Sequence, residues 1–420
     1  MIIIDIFSVI FVFMILKSKD QISLLNPVFL FFLFHLIFIT VRGVQIFIFD
    51  QEIIVNKWFS TKVTIAEIEK AILVADIALL AFVLGFIPIR QRRRKKVSVA
   101  PEKNVIARKR LKKRYSFFLT VIFLLGVFGV LNYLTIPGVV NNTNIDTNIY
   151  ILMLTGFGGA AALTLIFERG LKKEYLIFLA IMLLIYAIQG YHRYRVILPL
   201  VFLVGFYLKA TQLNFPPLRY GLIAALLAIF IFPLKEIGKK IQKGEQIELI
   251  EVAKESIDGL LGGETGDLSF IEQSGAMIGS IDDKNTYFWG TTYLPTIFFW
   301  IPRSLWADKP ALNFWQKEIS TSGRDYAKQG QVSLLSGEAY ANFSYVGAFM
   351  VPLCLGYFYG LVYRRAMVAS IRHRHFLLLL LLNMILFQVW RDGLISLFVF
   401  PFINYFPLTV LYLIKKYKEV

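Results

Sequence analysis

An all-α, polytopic membrane helix bundle is the fold class this sequence predicts, and three observations predict it. Of 420 residues, 57% are hydrophobic and 15% aromatic, whereas a soluble domain of this size is nearer half apolar with periodic polar faces. Apolar runs of about 15–25 residues recur, the length a helix needs to cross roughly 30 Å of hydrocarbon. The basic residues are concentrated: residues 90–114 hold thirteen Lys and Arg against one acid, Glu102. That segment accounts for most of the net charge of +17. It has no aromatic interleaving and no domain around it, which argues against nucleic acid as a partner and for a cytoplasmic anchor beside anionic lipid. The single cysteine, Cys354, lies in an apolar run and permits no disulfide framework within the chain.

Taken in order, eleven crossings are expected: 2–16, 23–49, 66–89, 115–134, 149–167, 175–190, 195–208, 220–235, 338–363, 376–391 and 393–414. The chain starts apolar at Ile2 without a basic leader region, so the first run reads as a retained helix. The second contains Pro27, His35 and, in its outer half, Arg42. Residues 50–70 read as an interfacial strip with Trp58 and Phe59 at headgroup level. With 90–114 inside, the inside loops 17–22, 168–174, 209–219, 364–375 and the tail from Lys415 are all net positive, while 235–337 is net negative. The positive-inside rule is then satisfied, with the N-terminus outside and the C-terminus cytoplasmic. The chain divides into N-terminal membrane helices (1–234, about eight), a large extracytoplasmic loop (235–337) and C-terminal membrane helices (338–420, about three). Within the loop, 246–261 has the spacing of an amphipathic helix, and 268–281 is weakly amphipathic. Residues 287–306 read as a helix that dips into or packs over the outer face, interrupted by Pro295 and Pro302. No internal repeat of the transporter kind is present, and no midplane charge pairs are expected.

Several arginines stand out against this frame. Arg193 and Arg195 lie in the turn YHRYR. The 36 residues from Glu174 to Lys209 must supply two crossings and that turn. About 16 residues per helix span roughly 24 Å at 1.5 Å rise, so the turn is recessed below the outer surface. Phe376 to Trp390 repeats the geometry ahead of Arg391–Asp392. A guanidinium at that depth costs a few kcal/mol unless it meets an anion or a water-filled cavity. Arg193, Arg195, Arg303, Arg324 and Arg391 together suggest a clamp for a diphosphate, because the planar fork binds two oxygens at once and does not deprotonate. Snorkelling or local pairing, such as Arg391 with Asp392, is the structural alternative. No acidic cluster with metal-ligand spacing appears and His192 stands alone, so the expected site is metal-independent and cofactor-free.

With these residues in order, the chain resembles the Wzy-type oligosaccharide repeat-unit polymerases of O-antigen and capsule. The resemblance rests on the YHRYR arginines, the large outer loop, and G-T-x-Y (Gly290, Tyr293) running into I-P-R-x-L-W-x-x-K-P (Pro302, Arg303, Trp306, Lys309, Pro310). It continues through G-E-x-Y-x-N-F-x-x-x-G (Glu338, Tyr340, Asn342, Phe343, Gly347) to Arg391 near the outer end of the penultimate helix. At motif level it covers about 190–400. It implies a GT-C-like bundle in the bacterial inner membrane. The implied donor is a growing glycan on undecaprenyl diphosphate, and the acceptor is one repeat unit on the same lipid. A chain-length regulator and a repeat-unit flippase are the implied partners beside membrane lipids.

A diphosphate leaving group needs its developing charge neutralised, which arginines do well in a partly dehydrated site. A base must take the acceptor hydroxyl proton. By position the candidates are Glu338, ranked first where the loop re-enters the membrane, then His192, Asp325 and Asp392. Tyr293, Trp300, Trp306 and Tyr340 are candidates for sugar stacking, and Lys309 and Asn342 complete the substrate-binding set. Interfacial anchoring is the ordinary reading of any one aromatic. The rival readings are an O-antigen ligase-like transferase and a non-enzymatic transporter of lipid-linked oligosaccharide.

Overall fold

The computed structural model describes residues 1–49, 63–87, most of 117–131, 145–189, 194–219, 269–301, 305–312, 314–320, 326 and 332–418. The described chain is all-α. Its helices are α1 (Ile2–Ser18), α2 (Pro27–His35), a π segment (Leu36–Val41), α3 (Arg42–Phe49) and α4 (Ile65–Phe86). Then come α5 (Thr120–Gly129), α6 (Ile145–Arg169), α7 (Lys173–Gln189), α8 (Tyr194–Thr211) and α9 (Phe270–Lys284). After a 3₁₀ turn (Thr291–Tyr293) follow α10 (Leu294–Phe298), α11 (Phe314–Ile319), α12 (Leu334–Val368), α13 (Arg374–Asp392), α14 (Ile395–Ile403) and α15 (Phe406–Lys418).

Among the described residues, four stretches are long and apolar enough to cross a membrane: Pro27–Ile48, Tyr194–Thr211, Leu334–Val368 and Arg374–Asp392. Helices also cover the expected crossings 2–16, 66–89, 149–167 and 175–190. The expected crossing 220–235 and the amphipathic helix 246–261 lie outside the described residues, as does most of the strip 50–70. Over the last expected crossing, 393–414, the chain forms two helices, Ile395–Ile403 and Phe406–Lys415, bent by 91°, a broken span or a re-entrant loop. Pro407 at the second position of α15 cannot continue the preceding helix and favours a fresh start.

Local chemistry explains where the helices begin. Asn26 caps α2, its Oδ1 accepting the Val28 amide at 2.9 Å, with Pro27 at the first position. Thr64 and Glu67 form a reciprocal capping box at the start of α4. The faces of α1 divide cleanly: Val9, Val12 and Leu16 are buried, while Ile3, Phe7, Phe11 and Met14 are exposed. Such exposed apolar side chains suit a helix that meets lipid.

Helices α4 and α12 form the centre of the bundle, and glycine sets their approach. A Cβ on Gly85 would strike the Leu353 carbonyl, and one on Gly356 the Phe82 carbonyl. Small residues of this kind let two backbones touch where lipid supplies no hydrophobic drive.

A correction concerns α9. The stretch read as weakly amphipathic loop is buried along its whole face from Phe270 to Ile281. Its small residues allow this, since Gly275 packs on the Glu67 backbone. Its one buried acid is matched by a cation from the second crossing: Glu272 Oε1 lies 2.8 Å from Arg42 Nε and 2.7 Å from Nη2. Among the described residues of 287–306, helix is confined to the 3₁₀ turn Thr291–Tyr293 and α10, Leu294–Phe298.

Candidate functional site

The long helix α12 carries the site, and a break in it creates the site. Phe343 (φ −141°, ψ 25°) and Ser344 (φ 54°, ψ −146°) leave helical torsions. A non-glycine residue at positive φ is strained, and such strain collects at functional positions. The break frees helix carbonyls, and the loop supplies donors for them. The Phe288 amide donates to the Ala341 carbonyl at 3.0 Å, and the Trp289 amide to the Asn342 carbonyl at 3.1 Å. Gly347 is required just beyond, because a Cβ there would strike the Ala339 carbonyl.

Asn342 ties the two motifs together. Its Oδ1 accepts the Gly290 amide at 2.8 Å, and its Nδ2 donates to Thr292 Oγ1 at 2.6 Å and to the Glu338 carbonyl at 2.9 Å. Gly290 sits at φ +86°, in the left-handed region that favours glycine. The spacing of G-T-x-Y and E-x-Y-x-N is thus a hydrogen-bonding pattern between a loop and a broken helix.

One turn earlier, the buried carboxylate of Glu338 reaches a different element. Its Oε2 accepts the Leu394 amide at 2.8 Å. Gly393 (φ +88°) makes room, since a Cβ there would collide with that oxygen. The turn belongs to the end of α13, so Glu338 stands beside Arg391–Asp392. Arg391 Nε lies 3.5 Å from Asp392 Oδ1, and the guanidinium carbon 5.6 Å from the Phe270 ring centre. The Arg391 side chain is 29% exposed. Burial first, and the Glu338 carboxyl second, push the Tyr293 phenol above its usual range, which keeps it a neutral hydroxyl beside the acid.

Glu338, Asp392, Arg391, Tyr293 and Asn342 are therefore brought together. Arg195 is buried, with its guanidinium carbon 5.9 Å from the Tyr186 ring. His192, Arg193, Arg303, Arg324 and Asp325 lie outside the described residues. Two expected sugar contacts have structural work instead. Lys309 is buried and donates to the carbonyls of Phe299 at 3.2 Å and Ile301 at 2.9 Å, holding the turn. Tyr340 is buried, its hydroxyl donating to Asp282 Oδ1 at 2.7 Å, and Asp282 in turn pairs with Lys70. Trp306 keeps an exposed edge and packs at 5.7 Å against Phe298.

Two buried polar groupings go beyond the sequence-based expectations. One is Arg42–Glu272. The other is Asp5, His35 and Asp76, whose ligand atoms lie within 4.8 Å of one another. Asp5, His35 and Asp76 each fall inside an expected crossing. The rule that an ionisable residue within a membrane span marks a site would have found all three.

Against protein-family models, curated proteins and solved structures alike, the chain matches nothing.

Proposed function

We propose that this chain is a membrane glycosyltransferase of the polymerase type. It joins oligosaccharide repeat units carried on an isoprenoid diphosphate, at the extracytoplasmic face of a bacterial inner membrane. The observation that carries the reading is the bond from the Leu394 amide to Glu338. It draws the re-entry motif and the Arg391–Asp392 end of α13 into one place, so a carboxylate and a partly open guanidinium face the same region.

The chemistry follows from those two groups. The acceptor's hydroxyl oxygen attacks the donor's anomeric carbon, and the bond from that carbon to the diphosphate oxygen breaks. The hydroxyl proton passes to Glu338, and the isoprenoid diphosphate leaves as an anion. Arg391 meets that anion with paired donors, which stabilises the developing charge. Arg193, Arg195, Arg303 and Arg324 are the further donors proposed from the sequence. Tyr293 and Asn342 line the region beside Glu338, with Asn342 in a positioning role, since its amide is engaged by the loop.

The test is incubation of purified protein with lipid-linked repeat units. A ladder of products spaced by whole repeat units supports the reading. Transfer to a different acceptor without a ladder indicates the ligase-like alternative.

A second reading, a transporter of lipid-linked oligosaccharide, gains from the buried Asp5–His35–Asp76 cluster, since charges within membrane spans line transport paths. Movement of substrate across vesicles without elongation would favour it.

A further inference from the structure

We infer that Asp5, His35 and Asp76 form an intramembrane binding site for a divalent transition-metal ion of the zinc class, held by His35 Nε2 and one oxygen from each carboxylate. Nothing in this site depends on the polymerase reading, and neither result decides the other.

The three residues come from α1, α2 and α4, and all are buried, at 0%, 1% and 2% exposure. His35 Nε2 lies 2.8 Å from Asp5 Oδ1 and 3.3 Å from Asp76 Oδ1. A proton on His35 Nε2 can be directed at one oxygen only. Asp5 takes that bond. The remaining acceptors are left over: Asp5 Oδ2 and both oxygens of Asp76 are buried without a hydrogen-bond partner among the described residues. Three carboxylate oxygens without a hydrogen-bond donor, one of them 3.3 Å from His35 Nε2, are electron pairs available to a cation in an apolar bundle.

Charge points the same way. Two carboxylates carry two negative charges where isolated buried charge is most costly. One divalent ion cancels them, and metal binding releases the protons that would otherwise do so. The donor types select among ions. An imidazole with carboxylates suits zinc, manganese, iron, cobalt or nickel, whereas magnesium and calcium prefer all-oxygen cages. The spacing is close to what such an ion needs. Ligand atoms about 2.0–2.1 Å from a tetrahedral centre stand roughly 3.4 Å apart. The Asp76 contact, at 3.3 Å, already meets this. The Asp5 contact must open by about half an ångström, which loss of the shared proton would cause.

The backbone adds an independent sign. Directly after His35 the helix widens into the π segment Leu36–Val41, which contains Thr40. π-turns are rare, and they occur most often at functional positions.

The experiment uses the full-length chain in detergent, stripped with chelator, loaded with Zn²⁺ or Mg²⁺ in parallel, desalted and analysed for metal. The expected result is stoichiometric zinc, no retained magnesium, and a rise in the unfolding temperature with zinc. His35→Gln and Asp76→Asn, which keep size and monodisperse elution, should retain zinc more than about tenfold less tightly. Co²⁺ loading gives a readout that needs no variant, through the visible absorption of a low-symmetry N/O site. Wild-type protein that retains no zinc and shows no Co²⁺ band would overturn the site. So would zinc retained equally by both variants.

Discussion

Glu338 and Asp76 are both buried carboxylates in a bundle of apolar helices, and they are housed in opposite ways. Glu338 has a backbone donor built for it, the Leu394 amide at 2.8 Å, and a glycine that clears its path. Both Asp76 oxygens lie without a hydrogen-bond partner among the described residues, beside a histidine whose proton is already given to Asp5. The first arrangement gives a carboxylate donors from the backbone and from Thr292. The second gives it an imidazole at 3.3 Å and, on the proposal above, a cation. Burial alone therefore does not say what an acid in a membrane bundle is for; its donors do.

A third carboxylate sharpens the contrast most. Glu272 has a cation of its own in Arg42. Replacing Arg42 with Ala would turn Glu272 into an uncompensated buried charge, as Asp76 would be without an ion. The expected loss is about 3–5 kcal/mol of stability, read as a large fall in the unfolding temperature in detergent. Zinc should not restore it, because the triad is untouched. The next effect down is at Gly393. Gly393→Ala puts a Cβ at φ +88° and against Glu338, at a cost of about 1–3 kcal/mol in the same assay. Elongation should fall further than stability does, since the carboxylate is displaced. Asn342→Ala strips the Gly290 amide and Thr292 of their partner. About 1–3 kcal/mol should follow, with proteolysis of the loop around Gly290 accelerated relative to the rest of the chain. Arg391→Lys is the mildest for the fold. Its ion pair with Asp392 is partly exposed, so less than about 1 kcal/mol should be lost. Elongation should nevertheless drop, because an ammonium offers a point charge in place of the paired donors. An Arg391→Lys protein with normal elongation would remove the diphosphate role from this residue.

What the sequence revealed, and what it hid, divides along the same line. The Glu338 cluster was legible because most of it is local. Gly337 to Gly347 is one helical stretch with a break, and its partner loop around Gly290 carries its own glycine and threonines. The reading went further than the side chains allow at Tyr340 and Lys309. Aromatic and cationic residues look alike in sequence whether they face a sugar or satisfy an internal acid or carbonyl. The triad was hidden because its members are far apart in the chain, each looking like a lone charge in an apolar run. Helix α9 was misjudged for a related reason. Glu272, Gln273 and Ser274 resemble a solvated face, until Arg42, the Ser269 hydroxyl and the Ser333 carbonyl are known to be their partners. The bend after Ile403 had a signal in Pro407, which was outweighed by the hydrophobicity of the whole run.

The most direct measurement of the central claim is the elongation rate of Glu338→Gln on lipid-linked repeat units. Glutamine keeps an oxygen for the Leu394 amide, so the fold should hold and the purified protein should remain monodisperse. It cannot take the acceptor's proton. The account predicts that the product ladder shrinks by about a hundredfold or more. A ladder formed at the wild-type rate by a stable Glu338→Gln protein would contradict it.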